Sequence, residues 1–478
     1  MSPVHTTFYG DWRARRADRA ALRDGLDAPP EKLLQGVWFH QRIQRGQLRL
    51  LDGRGVRVLH PGFWNREAGP DFRGAMVQFD GEAPRTGDIE VDVCASGWHG
   101  HGHDTNPNFQ QVILHVVWEK DARSERPTLA LKPLLDAPLA ELNEWLGREG
   151  AGAFPEALAG QCQAPLRALS PEALTELLRQ AALIRLQGKA AQMHARARDT
   201  GWEQALWEGL FRALGYKHNV WPMQRLAELR GQVCPENSRL DPLALQARLL
   251  GAGGLLPEEL PRAQATTDNY VRRLWDNWWR EREAFGEEVV PRQLWCFSGL
   301  RPANHPQRRL ALAAHWLASG DLGARLEHWC VAGVDEARLV PTLLEILQAG
   351  RDEFWSWHWT LRAKRMLKPQ PLLGATRVTD LAVNVILPWL WVRASEGKNS
   401  TLPAELERRY FAWPAAEDNA VLRLARRRLL SSDSARGFQT AASQQGLLQI
   451  VKDFCQHSNA LCDGCQFPEL VGQWAKHA

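Results

Sequence analysis

Tyrosine is nearly missing from this 478-residue chain, with four residues against 22 tryptophans, so large aromatic surfaces must come from indole rings. Long apolar runs are missing too. The most apolar window, Leu381 to Val392, is too short to span a bilayer and contains Asn384 and Pro388, which predicts a buried helix that kinks or stops. The first residues lack the apolar stretch of a signal peptide, so a cytoplasmic location with no membrane partner is expected, and the eight cysteines should stay mostly reduced. There is no Walker-type phosphate loop, dinucleotide fingerprint or nucleophilic serine elbow, so ATPase, dehydrogenase and esterase chemistry lack support. No repeat period recurs, which argues against a solenoid. A large charge excess is also absent. The net charge of +4 and pI near 8.6 do not by themselves call for nucleic acid, and nothing specifies an oligomeric state. Arginine far outnumbers lysine, and no lysine occurs between Lys32 and Lys120.

What is present is an acid- and histidine-rich stretch from Gly69 to Trp118, set between apolar segments. In Gly87-Asp88-Ile89-Glu90-Val91-Asp92-Val93, strand alternation puts Asp88, Glu90 and Asp92 on one face and Ile89, Val91 and Val93 on the other. Three carboxylates on one face repel one another and lose solvation if buried, so they need a cation, a proton or open water. A hard divalent ion, Mg²⁺ or Mn²⁺, is the simplest solution. Asp71 follows Gly69 and Pro70 in a turn that leads into the apolar segment Phe72 to Phe79, which offers a ligand from a second strand. Beyond Cys94 come His99, His101, His103 and Asp104, read either as a solvated loop or as site residues. The short apolar run Val112 to Val117 reads as a fully buried strand, interrupted by His115, read as a core or a site histidine.

The order of these elements resembles the core of the PD-(D/E)XK nuclease superfamily: a helix from Glu31 to Arg42, a strand near Leu48 to Leu59, Pro70-Asp71 before a strand, Asp88 to Asp92 on the next, a helical linker and a strand from Val112. The resemblance implies that Asp71 and Glu90 hold the metal and that Glu31 is an accessory acid. The lysine usual two residues after the strand acid is Asp92 here, so its role would pass to His101, His103, His115, Lys120 or an arginine. Over a longer span, GPDFRGA, GDIEVDV, VILHVVW, ALGYKHN, FSGLRPANHPQRRLA and the cysteine-bearing tail resemble a bacterial domain-of-unknown-function family (number 2851), in which the second half-motif often reads Glu-x-His.

The tail gathers Cys455, Cys462 and Cys465 with His457 nearby, a spacing suited to structural zinc, or to an iron–sulfur cluster completed by a distant cysteine such as Cys162. Arg301, Asn304, Arg308 and Arg309, around two prolines, read either as a nucleic-acid-binding loop or as an inter-helix connection that satisfies backbone carbonyls. Trp275, Trp278, Trp279, Trp355, Trp357 and Trp359 read as helix-packing core or as stacking platforms. The Gly- and Pro-rich segment from Glu144 to Pro165 reads as a linker, and beyond it helical apolar spacing dominates, with Ser170 as N-cap before Pro171.

The fold expected is α+β: a nuclease-like mixed-sheet domain over 29–150 followed by a large all-α region over 165–478. The expected function is a metal-dependent phosphodiesterase acting on DNA or RNA, with Asp71, Glu90, Asp92, His101, His103 and His115 at the site. Two alternatives stand beside it: a non-catalytic nucleic-acid-binding or protein-interaction scaffold, and a zinc or iron site built on His99, His101, His103 and Glu90 for small-molecule chemistry.

Overall fold

The alternating segments near the start of the chain form one mixed sheet in the computed structural model, which describes residues 7–18, 28–65, 69–101, 103–104, 106–119, 126–146, 160–216, 218–235, 241–260, 269–297, 300–397, 399–417, 420–430, 440–455, 462 and 465–477. Its strands are β1 (Val56–His60), β2 (Phe63–Trp64), β3 (Phe72–Phe79), β4 (Arg85–Cys94), β5 (Val112–Glu119) and β6 (Thr128–Ala130). The strand order is β1-β3-β4-β5-β6, with β2 paired to β3. The pairs β1–β3 and β3–β4 are antiparallel, whereas β4–β5 and β5–β6 are parallel. A parallel neighbour needs a crossover rather than a tight turn. The segment between β4 and β5 supplies it, and among the described residues its only α-helix is the four-residue Gly97–Gly100, shorter than the helical linker expected.

The chain packs as two compact units, residues 1–188 with 417–478, and residues 189–416. This differs from the expected split at 150/165. The boundary falls inside the continuous helix Pro171–Thr200, and the last helices belong with the first unit. Local periodicity is blind to such a return, because it reports only which face of each helix is apolar.

In the first unit, helix α1 (Phe8–Asp18) and the tail helices Ala420–Leu430, Ala441–Ile450 and Phe467–His477 share a core with Leu177, Leu178 and Ala181. The buried Asp453 carboxylate accepts hydrogen bonds from Tyr9 (2.8 Å), Arg13 (3.3 Å) and Gln449 (3.0 and 3.1 Å), so the tail is tied to α1. Helix α2 (Glu31–His40) packs on β4, and its Leu33, Leu34, Val37 and Trp38 are all essentially buried. Each such side chain contributes about 1.5–3 kcal/mol on transfer from water.

The second unit is helical. Its apolar window lies on a helical run that neither stops nor breaks at Pro388: a π-turn at Ala382–Ile386 leads directly into Leu387–Glu396, with Pro388 in that helix's first turn. Arg308 and Arg309 lie on the helix Pro306–Ser319 and are buried, at 1% and 3% exposure. Arg308 donates to the carbonyls of Trp355, His358, Gln370 and Pro371, and Arg309 to that of Leu372. Asn304 accepts from Arg309 (2.8 Å) and from the Tyr216 hydroxyl. The nucleic-acid contact read for Asn304, Arg308 and Arg309 is therefore corrected to the inter-helix connection, because buried guanidinium groups facing carbonyls are not presented to a phosphate. Arg301 is exposed. Trp355 is fully buried and donates to Tyr270, whereas the half-buried Trp357 lies under Arg351 and Arg365. Among the described residues, no helix is long and apolar enough to cross a membrane.

Candidate functional site

The N-terminal turn of α2, the start of β3 and the middle of β4 converge, because sheet pairing and helix packing fix all three. Glu31 opens α2, and Gln35, one turn later on the same helix face, donates to both Glu31 Oε1 (3.0 Å) and Asp71 Oδ1 (2.7 Å). Asp71 enters β3 with its backbone N–H donating to Glu90 Oε2 (3.1 Å) and its own Oδ2 accepting from the Val91 N–H (3.1 Å). The acids expected to cooperate thus touch through backbone bonds of adjacent strands.

Asp92 lies on the same face of β4. Its Oδ2 meets Nε2 of the fully buried His115, which the parallel register places beside Glu90, at 2.9 Å. Its Oδ1 lies 3.2 Å from His101 Nδ1. Gly97 leaves room for that carboxylate, since a Cβ there would come within 2.9 Å of Asp92 Oδ1. His103, with its side chain 10% exposed, holds Nε2 3.2 Å from Glu90 Oε1. Its ring stacks on Phe109 at 3.8 Å, and Trp98 packs edge-on against it.

Burial pushes Glu90 up to about 9, with Asp71, Asp92 and Glu31 adding repulsion. Burial likewise pushes Asp71 up to about 7, reinforced by Glu31. Glu31, the most exposed of the four acids, is raised by partial desolvation of its carboxyl and by Asp92. None of these four carboxylates pairs with a lysine or arginine among the described residues. Desolvation lowers His103, which keeps its imidazole neutral near pH 7. The site reaches solvent at Glu31 and His101, both exposed.

The donor set fits a divalent cation. Donor atoms of Asp92, His101 and His103 all lie within 4.8 Å of one another, and apart from the 3.2 Å approach of Nε2 to Glu90 Oε1 the ring nitrogens of His103 make no hydrogen bond among the described residues. Mixed imidazole and carboxylate donors suit Mn²⁺, Zn²⁺ or Fe²⁺ better than Mg²⁺.

Glu31, Asp71, Glu90, Asp92, His101, His103 and His115 thus come together as one cluster. His99 does not join them, since it pairs with Asp104. Nor does Asp88, whose Oδ1 accepts from the Gly74 N–H at 3.1 Å beside a register shift in both strand pairs. Lys120 and His457 lie outside the described residues. Sequence reasoning missed Gln35, although its position four residues after Glu31 on an amphipathic helix was a usable signal. It also missed Gly97, whose role depends on a contact across the crossover.

A family model described as "Protein of unknown function (DUF2851)" matches residues 31–419, a range that covers the acid cluster and ends before the cysteine tail. No curated protein and no solved structure matches the chain. With more than half its length inside that match, the chain belongs to the DUF2851 family.

Proposed function

We propose that the protein is a divalent-cation-dependent phosphodiesterase acting on DNA or RNA, built on a PD-(D/E)XK-like sheet. The observation that supports this reading is the cluster of four carboxylates beside three histidines, with no lysine or arginine partner among the described residues, on adjacent strands and the neighbouring helix. Asp71, Glu90 and Asp92 would hold the cation with His101, and Glu31 would assist through Gln35. A cation bound there supplies Lewis-acid activation of water and positive charge opposite the departing oxygen. His103, neutral and held against Phe109, accepts the proton of the attacking water. His115 and His101 hold the Asp92 carboxylate from two sides, where the resemblance would place a lysine. The imidazole donors favour Mn²⁺ over Mg²⁺.

Cleavage of plasmid and single-stranded substrates with Mn²⁺ or Mg²⁺ tests this, comparing wild type with Asp71→Asn and Glu90→Gln, each verified as folded by thermal melting. Both variants should lose activity. Equal turnover in all three proteins would overturn the assignment. Two other readings have specific support. Asp92 in the lysine position favours a non-catalytic nucleic-acid or protein scaffold, which would show salt-dependent binding without turnover. The Asp92, His101 and His103 grouping favours a zinc or iron site for small-molecule chemistry, which would show a stoichiometric transition metal lost in His101→Ala.

A further inference from the structure

Four of the eight cysteines, far apart in sequence, gather in the first unit. Cys162, Cys455 and Cys462 are buried, at 6%, 6% and 7% exposure. Cys162 and Cys455 belong to one apolar core, and Cys465 packs against it. Arg428 links the turn at Gly160 to the cysteine-bearing tail. Its Nη2 donates to Cys462 Sγ at 3.2 Å, and its carbonyl accepts from the Gly160 N–H at 2.9 Å. Gly160 in turn abuts Cys162, since a Cβ there would lie 3.1 Å from Cys162 Sγ and 2.9 Å from the Arg428 carbonyl oxygen. Between the last two cysteines the backbone turns tightly. The Cys465 N–H donates to the Cys462 carbonyl at 3.1 Å, and Cys462 adopts a left-handed φ of 60° that a non-glycine residue takes only when its surroundings impose it.

We propose that Cys162, Cys455, Cys462 and Cys465 together ligate a thiophilic metal centre, with His457 not needed as a ligand. Four thiolates around a metal would form a net anionic centre next to the Arg428 guanidinium, whose Nη2 already reaches Cys462 Sγ. A single zinc ion, with Zn–S of about 2.3 Å, needs sulfurs roughly 3.8 Å apart. Among the described residues the one set of three or more such donors lying mutually within 4.8 Å is Asp92, His101 and His103, so no three of these sulfurs are that close. An iron–sulfur cluster, held by four cysteine thiolates, spans a wider set of sulfurs than a single zinc ion and is the centre proposed.

The full chain, purified without oxygen, is assayed for iron, acid-labile sulfide and zinc, and its metal coordination is read by X-ray absorption. Stoichiometric iron and sulfide with sulfur-only protein ligation are expected, lost from Cys162→Ala, Cys455→Ala, Cys462→Ala and Cys465→Ala but kept in His457→Ala. Glu90→Gln should also keep the metal, which separates this centre from the acid cluster at the sheet. Stoichiometric zinc with four sulfur ligands would equally uphold the site and identify a smaller ion. Metal-free protein after anaerobic reconstitution, a nitrogen ligand in the absorption data, or full metal retention in Cys162→Ala would overturn it. The coordination count on wild type decides the matter even if the cysteine variants fail to fold.

Discussion

At the scale of single residues, Glu90 and Asp71 make stability at the sheet depend on protons or on a cation. Both carboxyl groups titrate above their ordinary values in the folded chain, at about 9 and about 7, so the folded state binds protons more tightly than the unfolded state. The resulting stabilisation is complete below the ordinary carboxylate range and is lost as pH rises through about 7 and then about 9. The chelator-treated protein should therefore melt at progressively lower temperature between about pH 5 and 9, and Mn²⁺ should restore the midpoint at the alkaline end. Glu90→Gln should flatten the upper part of that curve, and differential scanning calorimetry across pH checks it. Arg308 presents the opposite case, a permanent charge fixed among four carbonyls. Arg308→Met leaves those carbonyls without their donor and should cost about 3–5 kcal/mol in urea unfolding, with no effect on metal binding at the sheet.

Individual elements explain which parts of the site were legible in the sequence. Alternation in Asp88 to Asp92 exposed the shared face of Glu90 and Asp92, because a strand has a fixed two-residue period. It misplaced Asp88, because the register shifts in both strand pairs there and its carboxylate turns to the Gly74 backbone. The α2 stripe was legible as a helix, yet Gln35 was overlooked since its two acceptors lie on different elements. The crossover from β4 to β5 was read as helical, but its four-residue turn instead presents His101 and His103 against Asp92 and Glu90. Gly97 makes this approach possible. Gly97→Ala should push the Asp92 carboxylate aside and weaken Mn²⁺ binding by about 10- to 100-fold, measured by titration calorimetry, with little change in helix content by circular dichroism.

For the molecule as a whole, the helices after Ser170 were legible one by one, whereas their partners were not. Helical spacing at Gln445 to Phe454 predicts an apolar face but cannot say that Asp453 will accept hydrogen bonds from Tyr9 and Arg13. Those bonds span almost the entire sequence. Asp453→Ala removes the buried carboxylate that accepts from both the Tyr9 hydroxyl and the Arg13 guanidinium and should destabilise the first unit by about 3–5 kcal/mol, seen as faster hydrogen exchange in α1 and in 171–188. Deleting 417–478 should expose Leu177, Leu178 and Ala181 and make the remaining first unit sensitive to protease, while 189–416 stays protected. The interleaved order also governs the timing of folding during synthesis. Residues 189–416 leave the ribosome as one contiguous unit, but the opening helices must wait for 417–478 to emerge before their apolar faces are covered. The newborn chain therefore carries a finished middle and an uncovered opening helix until residues 417–478 have emerged, the interval in which chaperones have the most surface to hold.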